Sequence, residues 1–297
     1  MVEMRERFVG SVLRIDDFDA TQSVEAPPAE EVTTSHEIAL VRTGMFTRHD
    51  ASGSFTADAN YAVFFQRAQP YRVTYPNAEG DACTVFNIAD FALIDMLRTF
   101  NPATADRPDH PFPKPGHVLM TSAWHLAHFR LLRWIASGCD SLQLEESALL
   151  LLGDMLRTAY QRGGQYRPEK KTRAAPARQE IVAQVKAELA AQFCESLHLE
   201  VIARRVYVSP YWLCRAFRAE TGVSLHQYVL RLRLAHALEY LLERPQEDLT
   251  HIALSLGFYS HSHFTTLFTR AFGLSPSEFR KPMPLPRLRE ISKIMEA

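Results

Sequence analysis

The sequence of 297 residues lacks the features that define membrane, disulfide-bonded and secreted proteins. It has no uninterrupted apolar run of about 18 residues, so no segment is expected to span a membrane. Its four cysteines lie far apart and form no Cys-X-X-Cys pair, which predicts free thiols in a reducing cytoplasm. The N-terminal segment MVEMRERFVGSVLRIDDFD is too charged for a secretion signal. These absences favour a cytoplasmic globular protein.

Charge is unevenly distributed along the chain, although the net charge is only −1. Residues 1–161 contain 13 Lys and Arg against 21 Asp and Glu, and residues 162–297 contain 20 against 13. A basic half joined to an acidic half indicates a polyanionic partner for the basic half. The length suggests about two domains. The apolar fraction of 46% is sufficient for a sizeable core.

The N-terminal third begins with a polar segment and continues with a sequence pattern that is typical of β-strands. Residues 1–35 are predicted to be a flexible leader, because they are polar and end in a Pro- and Glu-rich stretch. Between residues 37 and 88, the segments rich in β-branched and aromatic residues are EIALVRTGMF, NYAVFFQR, PYRVTYP and CTVFNI. Turn-forming residues separate these segments, so they predict several strands in a small barrel or sandwich.

The middle of the chain predicts two helices between a proline-rich loop and a basic linker. Residues 101–117 contain several prolines and are predicted to be a loop. Residues 121–136 and 141–160 show apolar residues at helical spacing and predict a helix hairpin. Residues 163–178 combine glycine, proline and basic residues with almost no apolar ones, which is typical of a linker. Residues 179–280 are predicted to be helical.

The C-terminal half contains the same short helical unit twice. In the first copy, VSPYWLCRAFRAETGVS, Ser209 is a favourable N-cap, Pro210 suits the first helical position and Gly222 suits the C-terminal end. The apolar face of this helix comprises Leu213, Ala216 and Phe217. A shorter apolar segment precedes it, and its small Ala203 allows two helices to approach closely. The pattern predicts a helix-turn-helix.

The second copy, YSHSHFTTLFTRAFGLS, follows the same pattern. Gly257 is predicted to form its turn, Ser260 its N-cap and Gly273 its C-terminal end. Residues 226–243 predict a continuous amphipathic helix between the two copies. Two units held by a rigid helix can reach two successive major grooves, about 34 Å apart along the duplex. The alternative interpretation is a packed helical domain that serves only as a platform for another protein.

Residues 179–281 resemble the C-terminal domain of the AraC/XylS family of bacterial transcription regulators. The segment IALSLGFYSHSHFTTLFTRAFGLSPSEFR matches the signature region of that family. The resemblance implies a sequence-specific regulator that binds double-stranded DNA, and more specifically an activator that also contacts RNA polymerase. The outward residues that the resemblance places on DNA are Tyr211, Trp212, Cys214, Arg215, Arg218, His261, Ser262, His263, Thr265, Thr266 and Arg270.

One position departs from the family pattern. The family often has an arginine where Thr266 stands, and a threonine cannot make the bidentate contact with guanine that an arginine makes. The second unit is therefore expected to read sequence weakly and to act mostly through DNA shape and backbone. The basic residues expected near phosphates, as a group, are Arg204, Arg205, Arg218, Arg231, Arg233, Arg270, Arg280 and Lys281.

The N-terminal half is similar, over NYAVFFQRAQPYRVTYPNAEGDACTVFNI, to the cupin-like effector and dimerisation domain attached to many family members. The resemblance implies a small-molecule effector inside a β-barrel and a homodimer formed by helices 121–136 and 141–160. Aromatic walls with one or two cations would suit a small aromatic or acidic ligand. The candidate effector-binding residues are Arg48, His49, Tyr61, Phe65, Tyr71, Arg72 and Tyr75. An effector-independent regulator is the alternative, because small barrels usually fill their interior with side chains.

These features together predict an α+β protein, with an N-terminal cupin-like β-barrel and helix hairpin followed by an all-α double helix-turn-helix domain. The predicted division is a flexible leader at 1–35, an effector-binding and dimerisation domain at 36–162, a linker at 163–178, a DNA-binding domain at 179–282 and a tail at 283–297. The expected mechanism is that effector binding shifts the occupancy of paired DNA half-sites.

The sequence argues against an enzyme, a cofactor and a metal site. A metal-binding cupin needs several histidines and a carboxylate from its strands, and no His-X-His pair occurs in residues 37–118. His125 and His128 share a helix face, which is more often a packing feature than a metal site. A redox switch is a further alternative, because Cys214 lies beside Arg215 and a cationic neighbour makes a thiol more reactive.

Overall fold

The structure, a computed structural model, describes residues 2–20, 29–76, 80–99, 101, 109–138, 140–165 and 175–281 of the chain. Its strands are β1 (Val2–Val9), β2 (Leu13–Ala20), β3 (Glu30–Glu31), β4 (Glu37–Asp50), β5 (Gly53–Asp58), β6 (Tyr61–Phe65), β7 (Tyr71–Thr74), β8 (Asp81–Ile88) and β9 (His117–Leu119). Its helices are α1 (Asp90–Arg98), α2 (Ser122–Ser137), α3 (Ser141–Gln165), α4 (Ala175–Gln192), α5 (Leu199–Arg205), α6 (Pro210–Thr221), α7 (Leu225–Glu243), α8 (Leu249–Ser255), α9 (His261–Phe272) and α10 (Pro276–Arg280). This content confirms the predicted α+β class.

Strand β4 is the central strand of the sheet, because its 14 residues pair with four other strands. Residues 37–44 pair antiparallel with β6 and β8, and residues 45–50 pair with β5 and β7. The main hydrogen-bonded path runs β1-β2-β8-β4-β6-β9, and no pairing among the described residues joins β1 to β9. The four segments predicted as strands in residues 37–88 are confirmed, and β5 is an additional strand in this region.

The prediction that residues 1–35 are a flexible leader is wrong, because this segment supplies the three strands β1, β2 and β3 of the sheet. Strand β2 pairs with β8 along its full length, and β1 lies beside it at the edge. Leu13 and Ile15 point into the core, where they are 3% and 1% exposed. Neighbouring acidic residues conceal this pattern, yet buried Asp17 is paired with Arg7 of β1 and with Arg42 of β4 at 3.6 Å. A charge neutralised by a partner far along the chain cannot be recognised from local sequence.

The sheet has a different hydrophobic core on each of its two faces. One core joins the sheet to α1, α2 and α3, and its deepest residues include Phe86, Leu93 and Leu151. The other core joins the sheet to α4, α6 and α7, and it includes Val63 and Val185. The C-terminal helices are therefore packed directly against the N-terminal sheet.

Helix α2 confirms the predicted helix at 121–136, but its burial contradicts the predicted role in dimerisation. The hydroxyl of Thr121 accepts a hydrogen bond from the amide of Trp124 at 3.2 Å and caps the helix. One side of α2 packs on the sheet and α3, and the other packs on α7 and α9. Because both sides are covered within one chain, α2 cannot pair two subunits in this conformation. Helix α3 keeps an exposed apolar strip that includes Leu142 and Leu150.

The predicted linker is shorter in the structure than the sequence indicates. Helix α3 continues to Gln165 and α4 begins at Ala175, so both ends of the segment 163–178 are helical. The intervening residues 166–174 and the predicted tail at 283–297 lie outside the described residues. Among the described helices, none is long and apolar enough to cross a membrane.

Candidate nucleic-acid interface

The first repeated unit is a helix-turn-helix formed by α5 and α6. The amide of Val208 closes the turn between them by donating to the carbonyl of Ala203 at 3.0 Å. Tyr207, within this turn, has a φ of 56°, a left-handed conformation that is unusual for a residue with a side chain. The hydroxyl of Ser209 accepts from the amide of Trp212 at 3.2 Å, so Ser209 is the N-cap as predicted. The local signals in the sequence therefore specify this unit correctly.

The second unit, formed by α8 and α9, repeats this hydrogen-bond pattern. The amide of Phe258 donates to the carbonyl of Ala253 at 3.0 Å. Gly257 occupies the left-handed position of the turn, with a φ of 77°. A side chain there would collide with the backbone, since an added Cβ would lie 2.2 Å from the carbonyl oxygen of Cys194. The hydroxyl of Ser260 accepts from a backbone amide of α9 at 3.1 Å and caps that helix.

Helix α7 connects the two units and confirms the predicted helix at 226–243. It begins with a capping box, in which Ser224 and Gln227 exchange hydrogen bonds, and it continues without interruption to Glu243. Its inner face includes Tyr228, Leu232, Ala235 and Leu238, which are buried, and Leu242, which is half-buried. A single unbroken helix sets the separation between the two units.

The outward side of α6 exposes all five of the residues predicted to contact DNA. Tyr211 is 73% exposed and Trp212 is 37% exposed. The guanidinium of Arg215 lies 5.8 Å from the centre of the Tyr211 ring. Cys214 and Arg218 are also exposed. Helix α6 thus presents a contiguous aromatic and cationic surface, which is the kind of exposed patch that marks a binding site.

The outward side of α9 is polar and less aromatic. The exposed residues on this side are His261, Ser262, His263, Thr266 and Arg270, whereas Thr265 is half-buried. The hydroxyl of Thr266 donates to the carbonyl of Ser262 at 2.8 Å, so its proton is already used within the helix. Its methyl group and the lone pairs of its oxygen are what it can offer to DNA.

The basic residues predicted near phosphates fall into two groups. Arg233 donates to the carbonyl of Phe193 at 2.6 Å, and Arg280 donates to the carbonyl of Glu247, so these two side chains hold the fold together. Arg231 is half-buried. The exposed members of the group are Arg204, Arg205, Arg218, Arg270 and Lys281. Only these exposed members are positioned to approach a DNA backbone in the described conformation.

Two exposed tyrosines beside the recognition helices were not predicted. Tyr207 is 95% exposed and Tyr259 is 90% exposed, and each lies in the turn that precedes α6 or α9. The signal was present in the sequence, because each tyrosine comes one or two residues before an N-cap serine. Phenol hydroxyls are donors that suit phosphate oxygens, so both residues belong to the candidate interface.

The basic members of the candidate effector set are occupied by partners within the chain. Arg48 donates to the carbonyl of Phe64 at 2.7 Å and pairs with Asp50 at 3.0 Å. The imidazole of His49 lies between two hydroxyl groups of neighbouring strands, at 2.7 Å from each. Arg72 is exposed and pairs with a glutamate of β3 at 3.7 Å. These side chains therefore have partners within the chain.

The aromatic members of the effector set lie in three separate places. Phe65 and Tyr71 pack together, with ring centroids 4.9 Å apart. Tyr61 is buried instead beside Lys186, whose ammonium lies 4.3 Å from the centre of its ring. Tyr75 is half-buried elsewhere, and burial followed by nearby carboxylates raises the pKa of its phenol. Of these three places, the first also holds a candidate cation, because the guanidinium of Arg48 lies 5.5 Å from the centre of the Phe65 ring.

The buried lysine Lys186 lies at the junction of the sheet and the C-terminal helices and was not predicted. Its ammonium donates to the carbonyl of Thr56 and lies 4.7 Å from the centre of the Phe55 ring. Burial lowers the pKa of Lys186 to about 8, against the attraction of Asp58. The sequence feature that could have indicated its burial is its position directly after Val185, on an apolar face of α4.

The residues considered for metal and redox chemistry are mostly buried. His125 and His128 both lie inside the protein on α2, and burial lowers the pKa of His125 to about 3. The described part of the chain contains no group of three or more His, Cys, Asp or Glu that could hold a metal ion. Cys83 donates to Asp81 at 2.9 Å, and burial raises the pKa of its thiol, which makes it less reactive. On the recognition helices, the redox alternative concerns the exposed Cys214.

Comparison with known proteins gives one family match in the C-terminal half and partial matches to curated relatives. Residues 202–282 match the helix-turn-helix domain family. The HTH-type transcriptional activator RhaS from Escherichia fergusonii is 43% identical over 89 residues, which are 30% of this chain and 32% of that protein. The HTH-type transcriptional activator RhaR from Salmonella dublin is 28% identical over 171 residues, 58% of each chain. The chain thus covers between about a third and just over half of the length of these curated relatives.

Two solved structures are also similar to parts of this chain. The C-terminal domain of AraT, a response regulator from Geobacillus stearothermophilus, is 31% identical, with 34% of this chain and 83% of that chain covered and a TM-score of 0.32. ToxT from Vibrio cholerae, bound to an unsaturated fatty acid, is 15% identical, with 91% of this chain and 95% of that chain covered and a TM-score of 0.36.

Proposed function

Because residues 202–282 form a helix-turn-helix domain of the AraC type, we propose that the protein is a sequence-specific, DNA-binding transcription regulator. The observation that supports this proposal most is the repetition of one capped, outward-facing helix at each end of α7. The apolar sides of α6 and α9 are buried and their polar sides are exposed, so both helices can enter a groove without rearrangement. The similarity to transcriptional activators supports activation as its mode of action.

In the proposed complex, α6 supplies most of the base contacts and α9 contacts mainly the backbone. Arg215 can make a bidentate contact with guanine in the major groove. Thr266 can offer only a methyl group to a thymine, since its hydroxyl proton is engaged. Arg218 and Arg270 are placed to contact phosphates, which fix position without reading sequence. The other members of the proposed interface are Tyr211, Trp212, Cys214, His261, Ser262, His263 and Thr265.

Dimerisation through the outer side of α3 and α1 is part of the proposal. Phe91, Leu142 and Leu150 are exposed there, and such a patch is unusual on a monomer. Two copies would place four recognition helices on paired half-sites and so raise specificity. Sedimentation of the protein tests this point, because Leu150→Lys should convert a dimer to a monomer. An activator of this kind would also contact RNA polymerase, in the cytoplasm.

A small-molecule effector at the N-terminal sheet is a further part of the proposal, without catalysis, a cofactor or a metal. The pair Phe65 and Tyr71, beside the guanidinium of Arg48, is the place where aromatic walls and a cation meet. Aromatic carboxylic acids are therefore the first ligands to test. A ligand at this place should raise the melting temperature of the wild type and not that of Phe65→Ala. Equal shifts in both proteins would move the effector site elsewhere.

The DNA-binding proposal is tested by selecting genomic fragments with the purified full-length protein over a range of salt concentrations. Enrichment of defined fragments, with affinity that falls as salt rises, is the expected result, because phosphate contacts release counterions. If no fragment is enriched at any salt concentration, with or without candidate effectors, the DNA-binding proposal is contradicted. Binding to a protein partner but not to DNA would favour the platform interpretation.

A further inference from the structure

Helix α2 belongs to two hydrophobic cores at once. On one side, the residues that pack with the sheet and α3 are Trp124, Ala127, Leu131 and Trp134. On the other side, the residues that pack with the second helix-turn-helix unit are Leu126, Phe129 and Leu132. All seven are buried. Because α2 packs on the sheet and α3 with one side and on the second unit with the other, a displacement of α2 affects both.

The contribution of α2 to the second unit is central to that unit. Phe129 is 1% exposed and shares a core with Leu238 of α7, Ile252 of α8 and Phe268 of α9. Phe268 also lies on the inner side of the proposed DNA-contacting helix α9. Because protein interiors are closely packed, a shift of α2 must be accommodated by a shift of α9 or by an empty cavity.

A polar contact from α2 reinforces this packing. The guanidinium of Arg133 donates to the carbonyls of Phe279, of Arg280 at 3.1 Å and of Lys281 at 2.8 Å. These carbonyls lie at the C-terminal end of α10, where a helix leaves acceptors unpaired and favours a cation. The same guanidinium lies 5.2 Å from the centre of the Phe279 ring. One side chain of α2 thus holds α10, whose Phe279 lies in the same core as the inner residues of the second unit.

The first unit belongs to a different core, in which Leu213 and Phe217 of α6 lie together with Val63 of the sheet. Two polar contacts from the neighbouring helices α7 and α4 join this core to the sheet. The hydroxyl of Tyr228, at the start of α7, donates to the buried carboxylate of Asp58. Lys186 of α4 donates to the carbonyl of Thr56. Each unit therefore has its own connection to the N-terminal half.

We propose that α2 is the element through which the N-terminal half sets the position of the second recognition helix, independently of the first. A change in the sheet that moves α2 would alter the DNA contacts of α9 while α6 keeps its own. The part of this inference that concerns DNA rests on the proposed function, whereas the coupling between α2 and the second unit does not.

Amide hydrogen exchange of the full-length protein without DNA tests the coupling directly. Arg133→Gln removes three charge-assisted hydrogen bonds, so exchange in residues 261–280 should accelerate about tenfold or more. Exchange in residues 210–221 should not change. The matched control is Arg157→Gln, which removes an arginine from α3 that pairs with Asp154 of the same helix. The control should leave both segments unchanged.

Equal acceleration in both segments, or none in either, would overturn the proposal. Arg133→Lys keeps the charge but not the planar fork, so it serves if Arg133→Gln does not fold. It should produce the same selective acceleration with a smaller amplitude. Uniform acceleration in this variant would overturn the proposal equally well.

A DNA-binding selection with the same variants adds the second readout. Arg133→Gln should weaken base preferences in the block of bases that α9 contacts, which is the block that Arg215→Ala leaves intact. Loss of preferences in the block that α6 contacts as well would contradict independent control of the second unit. Selective exchange together with no DNA binding by any variant would leave the coupling in place and refute the proposed function.

Discussion

The two helix-turn-helix units share a backbone conformation and differ in one turn residue and in the side chains of their outer sides. Both turns are closed by the same hydrogen bond of 3.0 Å, and both recognition helices begin at a serine cap and end at a left-handed glycine. The first unit has a tyrosine at the left-handed turn position and an aromatic, cationic outer side. The second has a glycine there and a polar outer side. The backbone is thus specified by a few turn and cap residues, and the outer side is free to diverge.

The largest expected effect comes from the turn of the second unit. Gly257→Ala places a Cβ 2.2 Å from the carbonyl oxygen of Cys194 and strains a φ of 77°. The overlap and the left-handed backbone together should reduce the free energy of unfolding by about 3–5 kcal/mol. Urea denaturation measures this change. A loss below about 1 kcal/mol would mean that the turn can shift, and that the two turns are less different than they look.

The next effect distinguishes the two outer sides. Arg215→Ala should weaken binding to a selected site by about 1–3 kcal/mol if the side chain reads a guanine. Thr266→Ala should weaken it by less than about 0.5 kcal/mol, because its hydroxyl proton is bound within α9. Fluorescence anisotropy with specific and random duplexes measures both changes. An equal loss on specific and random DNA would assign Arg215 to a phosphate contact.

A smaller effect concerns the helix that supports the second unit. Burial lowers the pKa of His125, on α2, from about 6.5 to about 3, so the folded protein cannot accept the proton that the unfolded chain takes up below pH 6.5. The stability that neutral His125 contributes is present above pH 6.5 and is lost as the pH falls toward 3. Between pH 7 and pH 5.5, the wild type should lose about 1 kcal/mol more than His125→Gln. Urea denaturation at the two pH values measures the loss. If the wild type and His125→Gln lose the same free energy of unfolding, the low pKa of His125 is refuted.

The smallest effect comes from the turn of the first unit. Tyr207→Gly removes the strain of a left-handed non-glycine residue, which costs about 1–2 kcal/mol. The greater freedom of glycine in the unfolded chain offsets part of this gain. A net stabilisation of about 0.5 kcal/mol is expected in urea denaturation. Weaker DNA binding by the same variant, at unchanged or higher stability, would show that the exposed phenol contacts DNA.

The sequence was sufficient to predict the C-terminal elements, because their signals are local. Ser209, Gly222, Ser260 and Gly273 were predicted to begin and end the recognition helices, and they do. The outward residues of α6 were predicted from the family resemblance, and all of them are exposed. The placement of these residues on DNA stays a prediction.

The sequence was insufficient where long-range partners decide the outcome. The first strands were hidden because the carboxylate of Asp17 is neutralised by Arg7 across the β1–β2 pair and by Arg42, which is 25 residues away. Helix α2 was correctly predicted as a helix and incorrectly assigned to a subunit interface. Its two apolar sides are visible in the sequence, but the partner that covers each of them is known only from the fold. The same limitation applies to Lys186, whose burial depends on the sheet.

The unequal roles of the two units are tested most directly by determining base preferences, position by position, for the wild type and for Arg215→Ala. The wild type should select two blocks of bases about one helical turn apart, one strongly and one weakly specified. Arg215→Ala should erase preferences in the strong block and leave the weak one. Two equally strong blocks, or an effect of Arg215→Ala on the weak block, would contradict the account.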